Sequence, residues 1–331
     1  MSLALQNRDD SEIPILDLAP YLGGRSGALE ELAYHLRYAL ENIGFYFIKG
    51  HGVPQSLCDK AFAEAARFHA QPLESKIKLK RNHHNIGYLP MTRGSKADPT
   101  VRPNVNEAFF VKRDLPSDHP DVLAQKRFRS TNLWPEGLPG FRESVVAYCD
   151  ALEALAKRLV SLYAVALDLP VNYFDEAFAE PQYTLRMSHY PFVEVLEPNE
   201  FGIAPHTDTS FMTLLAQNKV PGLSLRTRDG RWIDAPALDG HFLVNGGDML
   251  RRWTNDRFLA TPHRAVNRSG KERYAIPFFV DCNIDWPIEC LPTCVGPERS
   301  AKYPRFTYAE YMTAYQDMAR DSADGVRLQA Y

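Results

Sequence analysis

The stretch APHTDTSFMTLLAQ, residues 204–217, sets His206 and Asp208 two positions apart, directly ahead of a run of apolar and β-branched residues. Two readings compete for it. Turns favour Asp and Thr, so it can be a polar turn entering an ordinary strand. Alternatively, a strand sends residues i and i+2 to the same face, so both side chains can enter one cavity and hold a metal. A His-x-Asp pair alone does not decide between them, and the choice falls to its surroundings.

From about 183 to 282, short segments rich in Val, Leu, Thr, Phe and Trp alternate with the turn dipeptides PG at 221, DG at 229, DG at 239, GG at 246 and SG at 269. Strands at that spacing predict an antiparallel sandwich or barrel. The first half reads as mixed. IPILDLAPYL (13–22) predicts a short strand and a turn, and FYFIKGHGVP (45–54) a strand ending in a turn. Residues 27–44, 56–72 and 141–169 carry apolar residues at helical spacing, the last being the longest periodic segment. Residues 80–105 read as a loop. Nothing resembling a flexible linker divides the halves. The expectation is one domain over 1–331: a mixed helical region over about 1–180, a β core over about 181–285 and a C-terminal segment over about 286–331.

Composition narrows the function. Hydrophobic residues make up 45% of the chain, enough for a large core. A net charge of −3 does not suit a nucleic-acid surface. There is no apolar run of about 18 residues to span a membrane, and the start, MSLALQNRDDSEIP, lacks the layout of a signal peptide. Five irregularly spaced cysteines read as reduced thiols. Together these predict a cytoplasmic protein acting on a small molecule.

A metal reading needs a third ligand, and TPHRAVNRSGKERYAIPFFV (261–280) offers His263, 55 residues after Asp208. Two imidazoles and one carboxylate on one face of a metal leave three positions open, an arrangement suited to non-haem Fe(II). Ten residues on, Arg273 falls in the strand after the NRSG turn. Its guanidinium can take a carboxylate through two parallel hydrogen bonds, as a dicarboxylate co-substrate requires at the end away from the metal. Tyr190, in LRMSHYPF, can donate to the same carboxylate.

With these residues in place the chain resembles a known family, from about residue 12 to 316. IPILDLAPYL, GFYFIKGHGVP, FHAQPLESKIKL, GYLP, NEAFFV, NLWPEGLPGFRESV, HTD, DMLRRWTNDRF and TPHRAVN occur in that order. The sequence is similar to the 2-oxoglutarate- and Fe(II)-dependent dioxygenases of the isopenicillin N synthase-like group. The resemblance implies a double-stranded β-helix (jelly roll) core flanked by helices. It implies His206, Asp208 and His263 as iron ligands and catalytic residues, with Arg273 anchoring the C5 carboxylate of 2-oxoglutarate. Tyr190 matches the tyrosine of the family's Asn-x-Tyr motif, and Ser188 stands where that motif has Asn. Ala275 stands where the family commonly has the Ser of Arg-x-Ser, so one hydroxyl donor is missing. Losing a neutral hydrogen bond costs roughly 0.5–1.5 kcal/mol, less than the Arg273 pair contributes, so 2-oxoglutarate binding is expected to survive.

The implied function is hydroxylation, desaturation or ring closure of a small organic metabolite, using Fe(II), 2-oxoglutarate and O2 and releasing succinate and CO2. The rivals are a 2-oxoglutarate-independent Fe(II) oxidase of the same fold, opposed by Arg273, and a non-catalytic small-molecule-binding relative, opposed by the complete ligand set. A zinc hydrolase needs a general base beside metal-bound water, and no second carboxylate sits at a matching position. Arg186 shares strand parity with Ser188 and Tyr190, so it faces the same cavity and can bind an acidic substrate group or a structural carboxylate. Phe211 is a candidate substrate contact, with the core as its competing place. His83 and His84 read as solvated, His51 and His241 as turn residues, and His189 as packing on the face opposite Tyr190. Asp248 and Arg252 are expected in the sheet's turn network.

Overall fold

Residues 45–49, FYFIK, are nearly all apolar because both faces of their strand are covered. In the computed structural model Phe45 and Phe47 point into a small inner core, while Tyr46 and Ile48 join a larger core beneath the helices. The structure describes residues 13–91, 104–194 and 200–323. The strands are β1 Ile15–Asp17, β2 Phe45–Lys49, β3 Gly87–Leu89, β4 Glu107–Lys112, β5 Gln182–Tyr190, β6 Ile203–His206, β7 Met212–Gln217, β8 Leu223–Arg226, β9 Trp232–Ala235, β10 Phe242–Gly246, β11 His263–Ala265, β12 Arg273–Asp281, β13 Pro287–Ile288 and β14 Phe306–Thr307. The α-helices are α1 Ala19–Leu22, α2 Ala28–Asn42, α3 Gln55–His69, α4 Leu73–Ile77, α5 Pro120–Leu123, α6 Phe141–Ala166, α7 Asp248–Trp253 and α8 Tyr308–Ala323.

Eight strands form one sheet in the order β1-β2-β10-β7-β12-β5-β4-β3, and four form a second in the order β6-β11-β8-β9. All pairings in the two are antiparallel except β1 with β2. The inner core joins Phe45, Phe47, Leu215 and Leu243 of the large sheet to Leu223, Leu225, Ala235 and Ala265 of the small one. That sheet-on-sheet packing over a shared apolar layer is the jelly roll expected. The outer face of the large sheet carries α2, α3 and α6. Fourteen residues of α6 are buried, from Phe141 to Ala166, which accounts for its wide apolar face. α2 carries Glu30 and Glu31 in its first turn, where the helix dipole favours acids.

Several local expectations are corrected. After the three residues of β1 the chain coils into α1 rather than only turning, because Pro20 fits the first turn of a helix. Within 80–105, Gly87–Leu89 forms β3 against β4; residues 92–103 of that expected loop lie outside the described residues. His84 is buried rather than solvated, its ring 3.9 Å from that of His83. Asp248 and Arg252 lie on α7, not in a strand turn, and Arg252 stacks over Tyr303 and Tyr311.

Candidate active site

His206 ends β6, and His263, which opens β11, is its direct cross-strand partner. Asp208 lies just beyond β6, so the loop rather than strand alternation turns its carboxylate back between the two rings. Its Oδ1 is 3.7 Å from His206 Nε2 and 3.6 Å from His263 Nε2. Each imidazole is oriented from behind: Nδ1 of His206 lies 2.9 Å from the Ala204 carbonyl, and Nδ1 of His263 lies 3.1 Å from the Thr261 carbonyl. Because a carbonyl only accepts, each Nδ1 carries the proton and each Nε2 keeps its lone pair. Asp208 Oδ2 accepts from Thr213 Oγ1 at 2.7 Å and Asn245 Nδ2 at 2.8 Å, leaving Oδ1 directed at the histidines. One ligand atom from each residue lies within 4.8 Å of the others.

Electrostatics suits the same arrangement. Burial and the neighbouring His263 push His206 down to about 4, so it is neutral near pH 7. Burial works to raise Asp208, but His263 and the hydrogen bonds outweigh it and hold the carboxyl below its ordinary range. Burial works to lower His263, but Asp208 raises it above its ordinary value, so a metal taken up there would displace a proton; the set then offers two imidazole Nε2 atoms and one carboxylate, which fits Fe(II).

The second part of the site is a buried cation without a counter-ion among the described residues. Arg273 is 1% exposed, and its Nε and Nη1 have no hydrogen-bond partner. β12 starts at Arg273, opposite Tyr190 of β5, whose ring lies 4.7 Å below the guanidinium. Gly222 makes room for it: a Cβ there would stand 2.6 Å from the Val266 carbonyl and 3.2 Å from Arg273 Nε. Leaving a charge buried and unpaired is costly, so this guanidinium is set for an anion. Ser188 follows on the same face, wholly buried with a partnerless Oγ, between Ala275 and Ala108. The cross-strand neighbours of Arg273 and Ser188, Tyr190 and Ala275, line one cavity with Phe45, Leu223, Pro277, His206, Asp208 and His263. A larger groove of about 530 Å³ beside Arg226–Arg231 holds none of the candidate residues.

Phe211 is corrected. It is fully buried against Tyr163, Phe174, Phe178 and Trp253 in the helix-side core. It precedes β7, so strand parity does not carry it into the cavity. Arg186 does lie on the cavity side, over Phe110 and bonded to Asn106. Sequence reading missed Thr213 and Asn245, the residues that orient Asp208. Thr213 had a signal, since it lies within the opening stretch at the parity of the inward Leu215. Asn245 had none beyond standing in an otherwise apolar strand.

Sequence reading also missed the depth of the network behind Tyr190. His189 faces the helices, as expected, but it is more than packing. Its Nδ1 lies 2.8 Å from Glu107 Oε1, and its Nε2 bonds Glu272. Lys76 Nζ donates to Glu107 at 2.8 Å, and Tyr88 donates to the same oxygen. His69 completes the cluster. Lys76 fixes the charge of Glu107, and every donor faces a carboxylate already satisfied, so this second His/Glu/His group is a structural ion network.

A jelly roll with two imidazoles, one carboxylate and an unpaired internal arginine defines a non-haem iron oxygenase that uses a 2-oxo acid. Two family profiles match the chain: the N-terminal region of non-haem dioxygenases in morphine synthesis over residues 13–137, and the 2OG-Fe(II) oxygenase superfamily over residues 181–281. The chain belongs to the 2OG-Fe(II) oxygenase superfamily. A 2-oxoglutarate-Fe(II) type oxidoreductase of Emericella nidulans is 35% identical over 302 residues, covering 89% of this chain and 86% of that one. A 2-oxoglutarate-dependent dioxygenase of Monascus ruber is 33% identical over 300 residues, covering 87% and 90%. Among solved structures, a full-length Neurospora crassa protein in complex with alpha-KG has a TM-score of 0.85 at 26% identity, covering 96% of this chain and 99% of that one. The rice dioxygenase for auxin oxidation has a TM-score of 0.74 at 25% identity, covering 93% and 96%. The protein is thus an oxidoreductase dependent on Fe(II), 2-oxoglutarate and O2.

Proposed function

We propose that His206, Asp208 and His263 hold Fe(II), that Arg273 and Tyr190 hold the distal carboxylate of 2-oxoglutarate, and that the enzyme hydroxylates a small organic metabolite. The observation that carries this is the buried Arg273, without an acid among the described residues, stacked on Tyr190, which lines the same cavity as three ligands whose Nε2 and Oδ1 atoms converge. Bound iron supplies O2 activation coupled to decarboxylation of 2-oxoglutarate to succinate and CO2. This chain's own residues do the rest. Thr213 and Asn245 fix the Asp208 carboxylate, Ala204 and Thr261 fix the ring tautomers, and Arg273 orients the keto acid by a charge-assisted fork. Phe45, Leu215 and Leu223 keep the cavity apolar and limit water at the reacting centre.

A small-molecule substrate is supported by structures of the same Neurospora crassa protein with thymine and with 5-formyluracil. The unpaired Arg273 favours the 2-oxoglutarate-dependent reading over an oxidase that takes all electrons from its substrate. Five cysteines without a disulfide support the cytoplasmic location expected from the sequence, and no described helix is long and apolar enough to cross a membrane. The test is an anaerobic visible spectrum of metal-free protein given Fe(II) and 2-oxoglutarate. A weak charge-transfer band that needs both additions, and is lost in His206→Ala, is expected. Iron binding without the band in the wild type overturns the assignment.

A further inference from the structure

β5 carries Arg186, Ser188 and Tyr190 on one face, the last of which lines the cavity. Tyr190 is accounted for by Arg273. The guanidinium of Arg186 meets no acid among the described residues. It lies with its Cζ 5.4 Å from the centroid of Phe110, its direct neighbour across β4. Its one hydrogen bond to a described residue runs from Nη2 to Asn106 Oδ1 at 3.0 Å, and Asn106 is itself held by the Gly202 carbonyl. Asn106 is neutral. No described carboxylate pairs with Arg186, and its Nε is buried without a partner. The neighbouring Ser188 Oγ is likewise buried and partnerless. By contrast Arg67, Arg113, Arg129, Arg142, Arg251 and Arg257 each meet an Asp or Glu. Arg252 and Arg264 also lack an acid among the described residues, but each is held between two aromatic rings; Arg186 has one ring, and the face of β5 it shares with Tyr190 leads to the cavity.

The co-substrate does not supply the missing anion. Arg273 faces Tyr190, and Arg186 lies four residues away along β5, about 13 Å at 3.3 Å per residue. On the reading of the previous subsection, both carboxylates of 2-oxoglutarate are already committed, one to Arg273 and one to the metal. The charges of Fe(II), Asp208, 2-oxoglutarate and Arg273 then cancel, and Arg186 leaves the chamber with one uncompensated positive charge. Through Asn106 it is tied to the Gly202 carbonyl, directly ahead of β6, the strand that ends in the metal ligand His206. Arg186, with Phe110 beside it, therefore stands next to the start of the strand that ends in His206, away from the Arg273 end that the keto acid takes.

We propose that Arg186 is the specificity-determining residue for the primary substrate, that the substrate class is small organic acids, and that Arg186 receives their carboxylate while the carbon frame lies toward the metal. This inference rests on the Fe(II)- and 2-oxoglutarate-binding reading given above.

The test is a calorimetric titration of anaerobic protein loaded with Fe(II) and saturating 2-oxoglutarate. The probes are matched acid and amide pairs: benzoate and benzamide, phenylacetate and phenylacetamide, cinnamate and cinnamamide, hexanoate and hexanamide. The wild type should bind at least one acid ten-fold or more tightly than its amide. Arg186→Gln should abolish that preference, while Arg186→Lys, which keeps the charge and loses the fork, should keep the preference at reduced affinity. The charge-transfer band of the loaded protein is recorded first. A wild type without the band overturns the metal and 2-oxoglutarate reading, and this inference with it. A wild type that shows the band but prefers no acid overturns the acid-binding role alone. So does an acid preference that survives in Arg186→Gln. Tighter binding of an amide than its acid would assign Arg186 to a neutral carbonyl instead, and would equally overturn it.

Discussion

Arg273→Met separates a guanidinium that builds the fold from one that waits for a ligand. In the free protein Arg273 is 1% exposed, and burial already disfavours its charge. Its compensation comes chiefly from the face of Tyr190, a contact of about 0.5–2 kcal/mol. Removing an uncompensated buried charge offsets that loss, so without ligands the variant should unfold at the wild-type temperature or above. With 2-oxoglutarate the sign reverses. At a ligand concentration of 100 Kd, binding stabilises the wild type by about 2.7 kcal/mol. Unfolding entropy of about 2.1 cal/mol/K per residue gives about 0.7 kcal/mol/K for 331 residues, hence a rise of about 4 °C. Deleting one partner of a buried charge pair costs at least about 2 kcal/mol of binding, or about 30-fold in Kd. At the same concentration the rise in the variant then shrinks to about 1 °C. The assay is anaerobic thermal unfolding with Fe(II), with and without 2-oxoglutarate. A fall of more than about 4 °C in the ligand-free variant, beyond what the Tyr190 contact can supply, would show that Arg273 is structural. A full ligand-induced rise in the variant would refute its role as the anchor.

Asn245→Ala frees Asp208 Oδ2 from one of its two donors, and loss of such a ligand-orienting bond costs about 10–100-fold in metal affinity; competition with a chromogenic Fe(II) chelator reads this, and affinity within two-fold of wild type refutes it. Gly202→Ala places a Cβ 2.7 Å from the Tyr190 ring, so overpacking should cost about 1–3 kcal/mol, seen as a lower unfolding temperature together with weaker 2-oxoglutarate binding. Glu107→Gln removes the charge that faces Lys76, His189 and His69, and breaking a buried pair costs about 3–5 kcal/mol; an unchanged unfolding temperature would refute the network's role. That difference should also depend on pH. Burial works to raise Glu107, but its hydrogen bonds hold it far below 4.5, so its contribution is present above about pH 4.5 and fades at about 1.4 kcal/mol per pH unit below that. Burial works to lower His189, but Glu107 and Glu272 raise it above 6.5, so its contribution is full below pH 6.5 and fades as pH rises through the raised value. The gap between wild type and Glu107→Gln should therefore be widest between about pH 4.5 and 6.5, as chemical denaturation across pH would show.

The parts of the site legible in the sequence are those set by chain-local rules. Turn dipeptides bounded the strands, and strand parity put Tyr190, Ser188 and Arg186 on one face and His189 on the other. Parity succeeded there because β5 is nine regular residues. It had no purchase on Phe211, which lies one residue before β7, and it reached the right outcome for Asp208 by the wrong route, since that residue lies in a loop. Side chains that act through distant partners left no local mark. Glu107 meets Lys76 across 31 positions of sequence and His189 across 82, and His189 meets Glu272 across 83. Asn245 reaches Asp208 across 37. The reason for placing such polar groups inside the fold exists only once the strands are paired.

The two faces of β5 explain why a strand carrying cavity residues also carries so much buried charge behind them. A slip of one residue would exchange Tyr190 for His189 and expel Arg186 from the cavity. Apolar side chains alone penalise such a slip weakly here, because helices cover the outer face and apolar groups would be buried on either side. The ion network penalises it strongly. Glu107 on β4, His189 on β5 and Glu272 just ahead of β12 close one ionic contact across three adjacent strands, and Tyr274 stacks on His189 at 4.9 Å. In any other register Glu107 would be a buried carboxylate facing apolar groups. The same contact sets Arg273 opposite Tyr190, because it spans the residues on either side of that pair. The charge that orders the outer face thus fixes where the inner face presents Arg273, a task that burial of apolar area, indifferent to direction, does not perform.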